Sequence, residues 1–136
     1  MKVLTLTQPW ASLVIHGLKS LETRSWGTQY RGWLAIHAAK GFPGYARDIC
    51  DTFPFDEAMK LMELTTDTLP RGVILGEARL ITCGRISGPP DDAREAAFGD
   101  YTPGRFMWAF DTVYCYPEPV PARGALGLWE WDRTQK

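Results

Sequence analysis

The sequence predicts an α+β domain built around a curved sheet or small barrel, with short helices on its outside. Several stretches alternate apolar and polar residues with the period of a half-buried strand, and others repeat apolar residues at helical spacing. The 136 residues are 45% hydrophobic, which is enough for one core, and no repeat or linker divides them. We therefore expect a single domain over residues 1–136.

The chain opens with a predicted strand over residues 1–7 and a predicted short helix over residues 9–16. Pro9 suits the first turn of that helix, where a missing N–H group costs nothing. The apolar residues that follow Trp10 recur at helical spacing and give the helix one buried face. Gly17 is well placed to end the helix in a left-handed conformation. The helix therefore ends directly before a group of charged residues.

That charged group is the first candidate for a functional site. Residues 20–26 are predicted to be extended, which puts Glu22 and Arg24 on one face because strand side chains repeat every two residues. Together with Lys19 they suit the wall of a polar pocket better than a core. The plainer alternative is a solvated turn with a surface ion pair, worth only about 0–1 kcal/mol. Spacing alone leaves both interpretations open.

The same two periods divide the rest of the chain into strands and helices, with glycine and proline at the boundaries. Strands are predicted over residues 31–38, 73–83, 105–116 and 127–131. Helices are predicted over residues 44–52 and 55–65, with one or two helical turns at 91–98 inside a loop. These elements complete a sheet with helices packed beside it, as the α+β class requires.

The charge distribution indicates a local basic surface rather than a basic protein. The net charge of −1 argues against indiscriminate binding to duplex nucleic acid. However, residues 1–50 hold six basic and two acidic residues, whereas residues 51–100 hold five basic and ten acidic ones. If the first fifty residues gather on one face, a locally basic cleft lies on a neutral protein.

Metal and redox chemistry have little support in the sequence. The three cysteines are odd in number and lack CxxC spacing, and the two histidines are isolated, so the pattern contains no zinc site. We expect reduced, packed cysteines, no metal and no cofactor. The apolar start at Val3 is too short for a signal peptide or a membrane span, so we expect a cytoplasmic protein with no membrane partner.

Two titratable residues outside the charged group have a structural and a functional interpretation. Glu77 lies in a predicted apolar strand, where an unpaired carboxylate would be costly. It should therefore pair with Lys19, Arg24 or Arg79, or else face the pocket, and both a structural ion pair and a site carboxylate remain open. His37 also lies in an apolar strand and is more simply a satisfied core histidine.

Two of the six tryptophans adjoin the charged group and are candidates for ligand contact. Trp10 and Trp26 offer ring faces on which a nucleobase can stack. The other four are most simply core residues. No serine has a GxSxG context, so a serine-hydrolase triad is not expected.

Three segments of the first forty residues carry a resemblance to a known family. QPWA, GLKSLETR and RGWLAIHAAK fit the patterns QPWA, GxKxxExR and RGxLxIHAxK, and the chain is thereby similar to the ASCH (activating signal cointegrator homology) family. Weaker similarity over residues 69–83 and 105–131 extends the match to nearly the whole chain. Because this family is related to the PUA-like folds, the resemblance implies a PUA-like sheet or small barrel with a cleft beside the 9–16 helix.

The resemblance also implies where a ligand binds. In similar proteins the GxKxxExR residues line the cleft, and the HAxK segment ends near its mouth, where a lysine can contact phosphate. The candidate ligand-binding residues are Trp10, Lys19, Glu22, Arg24, Ser25, Trp26, Arg31 and Lys40.

Similar ASCH and PUA-like proteins bind RNA or DNA, so the first expectation is a module that binds single-stranded RNA or DNA, or a modified nucleoside or nucleotide. An arginine offers a planar fork to phosphate or to a guanine edge, and carboxylates accept hydrogen bonds from exocyclic amines.

The alternative expectation is a small hydrolase. Some small relatives hydrolyse an amide on a modified cytidine, and they resemble this chain at Lys19 and, more loosely, at Glu77, but they carry threonine where this chain has Glu22. Such an enzyme would use Lys19, Glu22 and Glu77 as its catalytic residues. A ribonuclease would lack the usual acid–base pair of histidines, because His37 alone fills only half of that role. A protein-interaction domain is the third expectation, because the family occurs in coactivator-type proteins.

Overall fold

The computed structural model describes residues 1–133, which form six strands and four short helices. In chain order these elements are β1 (Lys2–Leu6), α1 (Trp10–Ile15), β2 (Leu21–Arg24), β3 (Gly32–Ala38), α2 (Gly44–Ile49), α3 (Phe55–Leu61), β4 (Val73–Arg85), α4 (Ala93–Phe98), β5 (Phe106–Pro121) and β6 (Leu128–Glu130). No helix among the described residues is both long enough and apolar enough to span a membrane.

All six strands belong to one curled sheet with the order β2-β5-β4-β3-β1-β6. β1 and β3 are parallel and every other neighbouring pair is antiparallel. Arg24 at the end of β2 reaches the backbone carbonyl of Thr5 in β1 at 3.5 Å, although three strands separate them in the sheet. The sheet therefore curls into a half-barrel, and the predicted α+β, PUA-like fold class is confirmed.

The long β4–β5 pair contains three of the four register shifts found among the described strands of the sheet. Its register shifts at three points between β4 and β5, and one of them flanks Gly76. A Cβ atom on Gly76 would lie 2.1 Å from the carbonyl oxygen of Tyr114, so only glycine fits this close strand approach. Extra residues at such shifts bend a strand and increase its twist, which is how a flat pair becomes the wall of a half-barrel.

Helix α1 fills the curl of the sheet. Its residues after Trp10 are all buried, and Val14 and Ile15 pack with Leu34, Ile36 and the sheet aromatics in the main core. Leu13 points the other way, into a second cluster that includes Phe55 of α3 and Phe98 of α4. The helix is thus enclosed by the sheet on one side and by the other helices on the other, which fixes the position of its first residue, Trp10.

The predicted elements are all present, and their ends differ in two instructive places. Helix α3 ends at Leu61 rather than at residue 65, because Glu63 adopts a left-handed conformation with φ of 58°. Strand β5 continues to Pro121 instead of ending at residue 116. Alternate prolines are tolerated there because β2 covers only the first four residues of β5, so the edge that lacks N–H donors is unpaired.

The cysteines are expected to be reduced and packed, and the structure differs from that expectation in their packing only. All three are free, but Cys50 is buried, Cys83 is half-buried and Cys115 is exposed. Burial raises the pKa of the Cys50 thiol, and the carboxylate of Asp51 adds to the shift. Within residues 1–133, no group of three or more His, Cys, Asp or Glu side chains is arranged to hold a metal ion.

Candidate functional site

A cleft of about 460 Å³ opens beside the first residue of α1. We call it the motif cleft, because it contains residues of the GxKxxExR segment. Its walls come from β2, from α2 and α3, and from the segment that joins α4 to β5. The lining residues are Thr7, Trp10, Glu22, Thr23, Arg24, Tyr45, Ile49, Phe55, Ala97, Phe98, Gly99, Asp100 and Arg105.

A chain of three charged side chains runs from behind the motif cleft to its surface. The Lys19 ammonium donates to the backbone carbonyl of Leu21 and to Glu22 Oε1, the latter at 3.2 Å. Glu22 Oε2 accepts from Arg24 Nη1 at 3.3 Å. The local sequence dictates this arrangement, because Gly17 ends α1 with φ of 76° and the period of β2 puts Glu22 and Arg24 on one face.

Lys19 supports this site from behind and does not line it. Only 1% of the surface of Lys19 is exposed to solvent, and Glu22 is buried as well. Two buried charges of opposite sign are tolerated when each finds good partners, and here the glutamate is held between a lysine and an arginine. The consequence is positional: Lys19 fixes Glu22, and Glu22 fixes Arg24 at the surface of the cleft.

Arg24 presents one edge of its guanidinium without a protein partner. Nη1 bonds to Glu22 and to the Thr5 carbonyl, whereas Nε is buried and unpartnered and no described residue hydrogen-bonds Nη2. The group also lies over the ring of Trp26, with Cζ 5.6 Å from the ring centroid. About a quarter of the side chain, 26%, remains exposed. A fixed, partly exposed guanidinium whose Nε and Nη2 have no protein partner is suited to bind an anion.

A second lining arginine also carries a buried polar atom without a hydrogen-bond partner. The described residues contain four buried side-chain polar atoms without a hydrogen-bond partner: Arg24 Nε, Glu95 Oε1, Tyr101 Oη and Arg105 Nε. Both arginines line the cleft, and Arg105 lies 3.5 Å from Asp100 in a loose ion pair. Glu95 and Tyr101 do not line the cleft. Native proteins leave few such atoms unpaired, so the two on lining arginines indicate a place for polar ligand atoms or water.

Tyr101 adds a neutral donor to this group. Burial raises the pKa of its phenol well above the usual range, and the charges of Glu95 and Glu22 raise it further. The hydroxyl is therefore protonated throughout the physiological range. Glu95 itself uses only Oε2, which accepts from the backbone N–H and the hydroxyl of Ser20.

An aromatic wall faces these polar groups. Trp10 contacts Phe55 edge-to-face at a centroid distance of 5.9 Å and Tyr45 at 6.4 Å, tilted by 41°. Its indole N–H donates to the Phe98 carbonyl at 2.7 Å, which fixes the ring. Tyr45 is 67% exposed although it lines the cleft. An aromatic face that is fixed on one side and open on the other suits a stacked planar ligand.

Four predicted ligand-binding residues lie outside this cleft. Trp26 packs edge-to-face on Trp108 at 4.9 Å and contributes only through its contact with Arg24. Ser25 is exposed and does not line the cleft. Arg31 donates to backbone carbonyls on both sides, including that of Cys83 in β4, and so ties its loop to the sheet. Lys40 lines a different cleft. Trp10, Glu22 and Arg24 are brought together in the motif cleft, with Lys19 behind them.

The pairing expected for Glu77 is wrong. Its carboxylate accepts from Tyr116 Oη at 2.5 Å and forms an ion pair with Arg133 at 3.2 Å, not with Lys19, Arg24 or Arg79. The β4–β5 register puts Glu77 opposite Tyr114, and its side chain meets the last described residues of the chain. Burial, with the Glu77 carboxylate as the second cause, raises the pKa of Tyr116.

Arg79, the remaining candidate partner of Glu77, has its own carboxylate. It forms a two-point bridge to Asp111 with distances of 2.8 and 2.7 Å. Glu77 and Lys19 therefore belong to separate polar groups.

Sequence reasoning missed the residues that complete the motif cleft. The sequence places Asp100 in a predicted loop, Arg105 at the start of a predicted strand and Tyr45 in the predicted helix over residues 44–52, and gives none of them a role in the site. Arg105 reaches the site because β5 pairs antiparallel with β2, which sets Phe106 opposite Arg24. The composition of the 87–104 loop carries no sign of this pairing. The one available signal was the glycine before Arg105, which has φ of 96° and turns the chain into β5.

Comparison with known proteins identifies the family of this chain. The sequence model of the ASCH domain matches residues 4–113. Activating signal cointegrator 1 from Homo sapiens is 39% identical over 82 residues, and its Mus musculus counterpart is 37% identical over 82 residues. Each of these matches covers 59% of this chain but only 14% of the relative, so the chain spans a small part of their length. On the extent of the domain match, the chain belongs to the ASCH domain family.

Proposed function

We propose that the motif cleft binds a nucleobase and its adjoining phosphate, either in single-stranded RNA or DNA or in a free, modified nucleotide. The ASCH family is generally linked to RNA binding, which supports the class of ligand. The observation that carries the proposal is the partly exposed Arg24 guanidinium, held by Glu22 and Trp26 with Nε and Nη2 left without a protein partner.

The chemistry of the cleft fits both parts of a nucleotide. The exposed part of the Arg24 guanidinium can donate to a phosphate oxygen, or to an acceptor of guanine such as O6 or N7. The carboxylates of Glu22 and Asp100 are acceptors for an exocyclic amine. Trp10 and Tyr45 offer ring faces, and stacking of a base on such a face contributes about 1–3 kcal/mol.

Size and charge favour a single nucleotide over a duplex. The cleft of about 460 Å³ lies within the roughly 300–1,000 Å³ that small-ligand sites occupy. The protein has a net charge of −1, and only Arg24 and Arg105 bring positive charge to the cleft lining. Non-specific binding to a duplex depends on many phosphate contacts. A few directed contacts with one flipped-out or unpaired nucleotide agree better with this surface.

The burial of Lys19 weighs against the hydrolase alternative. A lysine that polarises a substrate carbonyl must contact it, but the ammonium of Lys19 is enclosed and bonded to Leu21 and Glu22. Glu77, the third member of the expected catalytic set, bonds to Tyr116 and Arg133 instead. Binding without turnover is therefore the better-supported function.

The proposal is tested by fluorescence anisotropy with labelled single-stranded RNA and DNA of about eight nucleotides, within the ~4–16 nucleotides that compact single-strand-binding domains cover. Hydrogen bonds to charged groups contribute about 1.5–3 kcal/mol. We therefore expect Arg24→Ala to weaken binding by at least tenfold. Lys60→Ala removes an exposed charge on α3 and should leave the affinity unchanged. Equal affinities for wild type and Arg24→Ala would contradict the proposal.

The hydrolase alternative is tested with the same wild-type protein and N-acylated cytidines. N-acylated cytidines should bind without release of the acid. Release that disappears in Glu22→Gln, at wild-type binding affinity, would make the protein an enzyme and overturn this assignment.

A further inference from the structure

A second and larger cleft, of about 1110 Å³, adjoins the motif cleft across the end of β1. We call it the basic cleft. Three cations line it, Lys40, Arg71 and Arg123, and no lining residue is acidic. All three are exposed, and within the described part of the chain none forms an ion pair. Cations collected without carboxylates repel one another, and an anion relieves that repulsion.

The floor of the basic cleft is rigid, because a hydrogen-bonded histidine holds the loop above it. His37 is buried, its Nε2 lies 2.8 Å from the Ala122 carbonyl and its Nδ1 lies 3.1 Å from Thr5 Oγ1. A carbonyl can only accept, so Nε2 carries the proton, and the neutral ring accepts from the Thr5 hydroxyl at Nδ1. Trp129 Nε1 in turn donates to Thr5 Oγ1 at 3.0 Å.

The loop of residues 122–127 is pressed against this imidazole. A Cβ atom on Gly124 would lie 2.7 Å from His37 Cε1, so the backbone approaches the ring as closely as glycine permits. Arg123 stands between Gly124 and Ala122, whose carbonyl His37 holds. The backbone on either side of this arginine is therefore fixed although its side chain is exposed.

Arg71 is oriented from the opposite wall. Its Nη1 donates to the Lys40 carbonyl at 3.1 Å, and its Cζ lies 5.5 Å from the centre of the Phe42 ring. Arg47 of α2 lies over the same ring at 4.9 Å. Two guanidinium groups on one aromatic ring, beside Lys40, extend the basic surface from the cleft towards α2.

The two clefts are neighbours through β1 and α2. The Thr5 side chain lines the basic cleft, while its carbonyl accepts from Arg24 of the motif cleft. Thr7, two residues further on, lines the motif cleft. On α2, Tyr45 lines the motif cleft and Arg47 lies with the basic group. A chain-like ligand leaving the motif cleft at Arg24 therefore meets the basic cleft directly.

From this geometry we infer that the basic cleft binds the phosphates of the same single strand whose base occupies the motif cleft, an inference that rests on the proposed function. No phenylalanine, tyrosine or tryptophan lines the basic cleft, so beside its cations it offers backbone and aliphatic side chains such as Leu126 but no phenylalanine, tyrosine or tryptophan ring for stacking. Its contacts are thus to phosphate and independent of sequence. Recognition is divided: one cleft reads a base and the other holds the backbone beside it.

The test compares a mononucleotide with an oligonucleotide of about eight residues, a length within the ~4–16 nucleotides of compact single-strand sites. The variant is Arg71→Ala/Arg123→Ala, and cytidine monophosphate and octacytidylate are the probes. We expect an unchanged affinity for the monophosphate and at least tenfold weaker binding of the octamer. Each lost phosphate contact removes about 0.7 from the slope of log affinity against log salt, so the double variant should lose a slope of about 1.4.

Arg85→Ala/Lys60→Ala is the matched control. Arg85 is an exposed arginine at the far end of β4, and like Arg71 it lies over a phenylalanine, at 4.8 Å, and donates to one backbone carbonyl. The control removes the same number of charges outside both clefts. It should leave the octamer affinity and the salt slope at wild-type values, and an equal loss in both double variants would overturn the inference.

Failure of the inference and failure of the proposed function give different results. If Arg24→Ala abolishes monophosphate binding while Arg71→Ala/Arg123→Ala leaves octamer binding unchanged, only the basic-cleft inference fails. If Arg24→Ala has no effect on the monophosphate, the proposed function fails. Arg71- and Arg123-dependent binding of inorganic phosphate, with no effect on the octamer, would identify a site for a free anion and also contradict the inference.

Discussion

The motif cleft and the basic cleft use charge in opposite ways. In the motif cleft, Lys19 and Glu22 are buried and hold Arg24 through two ion pairs. In the basic cleft, Arg71 and Arg123 are exposed and have no carboxylate partner in residues 1–133. Buried, paired charges fix geometry at a desolvation cost, whereas exposed, unpaired charges attract an anion at long range. The contrast indicates that the motif cleft fixes the orientation of a ligand, whereas the basic cleft attracts the ligand by its charge.

The largest effect should follow from breaking the buried chain. Lys19→Met removes one partner of a buried pair, which typically costs about 3–5 kcal/mol. We expect the free energy of unfolding, measured by urea denaturation, to fall by about 3 kcal/mol because Glu22 then keeps only Arg24. Lys60→Ala should change it by no more than about 0.5 kcal/mol. A Lys19 variant of wild-type stability would show that the pair is not structural.

The next effect separates binding from stability within the motif cleft. Tyr45→Ala removes an exposed ring from the aromatic wall, so binding of a short single strand should weaken by about 1–3 kcal/mol. Its stability should change little, because Tyr45 is mostly exposed. Phe53→Ala is the control, since Phe53 is 75% exposed and does not line the cleft. Equal binding losses in the two variants would mean that exposed aromatic surface, not this wall, captures the strand.

A smaller, pH-dependent effect should come from the floor of the basic cleft. Burial lowers the pKa of His37 from 6.5, with the Ala122 hydrogen bond opposing the shift. The folded state thus binds the proton less readily than the unfolded chain, so stability is complete above pH 6.5 and falls as the pH drops through that value. His16 shifts in the same direction, also through burial.

His37→Gln isolates the contribution of His37, because the His16 contribution is common to both proteins. Unfolding measured from pH 8 to pH 5 should show a steeper loss in the wild type than in the variant. Parallel curves would indicate that His37 does not titrate on unfolding and would remove it as a pH-dependent support of the loop.

The smallest effect is expected at Glu77. Glu77→Gln keeps an acceptor for Tyr116 but loses the ion pair with Arg133, which is half exposed. The cost should be about 1 kcal/mol or less, and affinity for a single strand should not change. A Glu77→Gln variant that is stable but no longer binds would restore Glu77 to the site and refute its separation from Lys19.

Local sequence predicted those parts of the molecule that depend on local rules. The helix ending at Gly17 and the two-residue period of β2 were sufficient to bring Lys19, Glu22 and Arg24 together. Residues linked only by the register of distant strands could not be predicted in this way. Glu77 meets Arg133, 56 positions later, because of how β4 and the final described residues pack. Arg105 lies near Arg24 because β5 pairs with β2, and no short sequence pattern predicts which strands pair.

The position of Lys40 also depends on strand packing that the local sequence does not predict. Its position at the end of the HAxK segment predicted a phosphate contact near the cleft mouth. The curl of the sheet instead puts it on the other side of β1, with Arg71 and Arg123 from segments more than 30 and 80 residues away. Only the three-dimensional arrangement shows that this lysine belongs to a second cleft.

The most direct test of the account is an NMR titration with cytidine monophosphate that follows the indole N–H of Trp10, the indole N–H of Trp129 and the Nε–H of Arg24. Trp10 lines the motif cleft, Trp129 bonds to Thr5 beneath the basic cleft, and Arg24 Nε has no partner in the free protein. The account predicts saturable shifts of Trp10 and Arg24, with Trp129 unmoved. Shifts of Trp129 alone, or no shift of Arg24 at saturation, would contradict it.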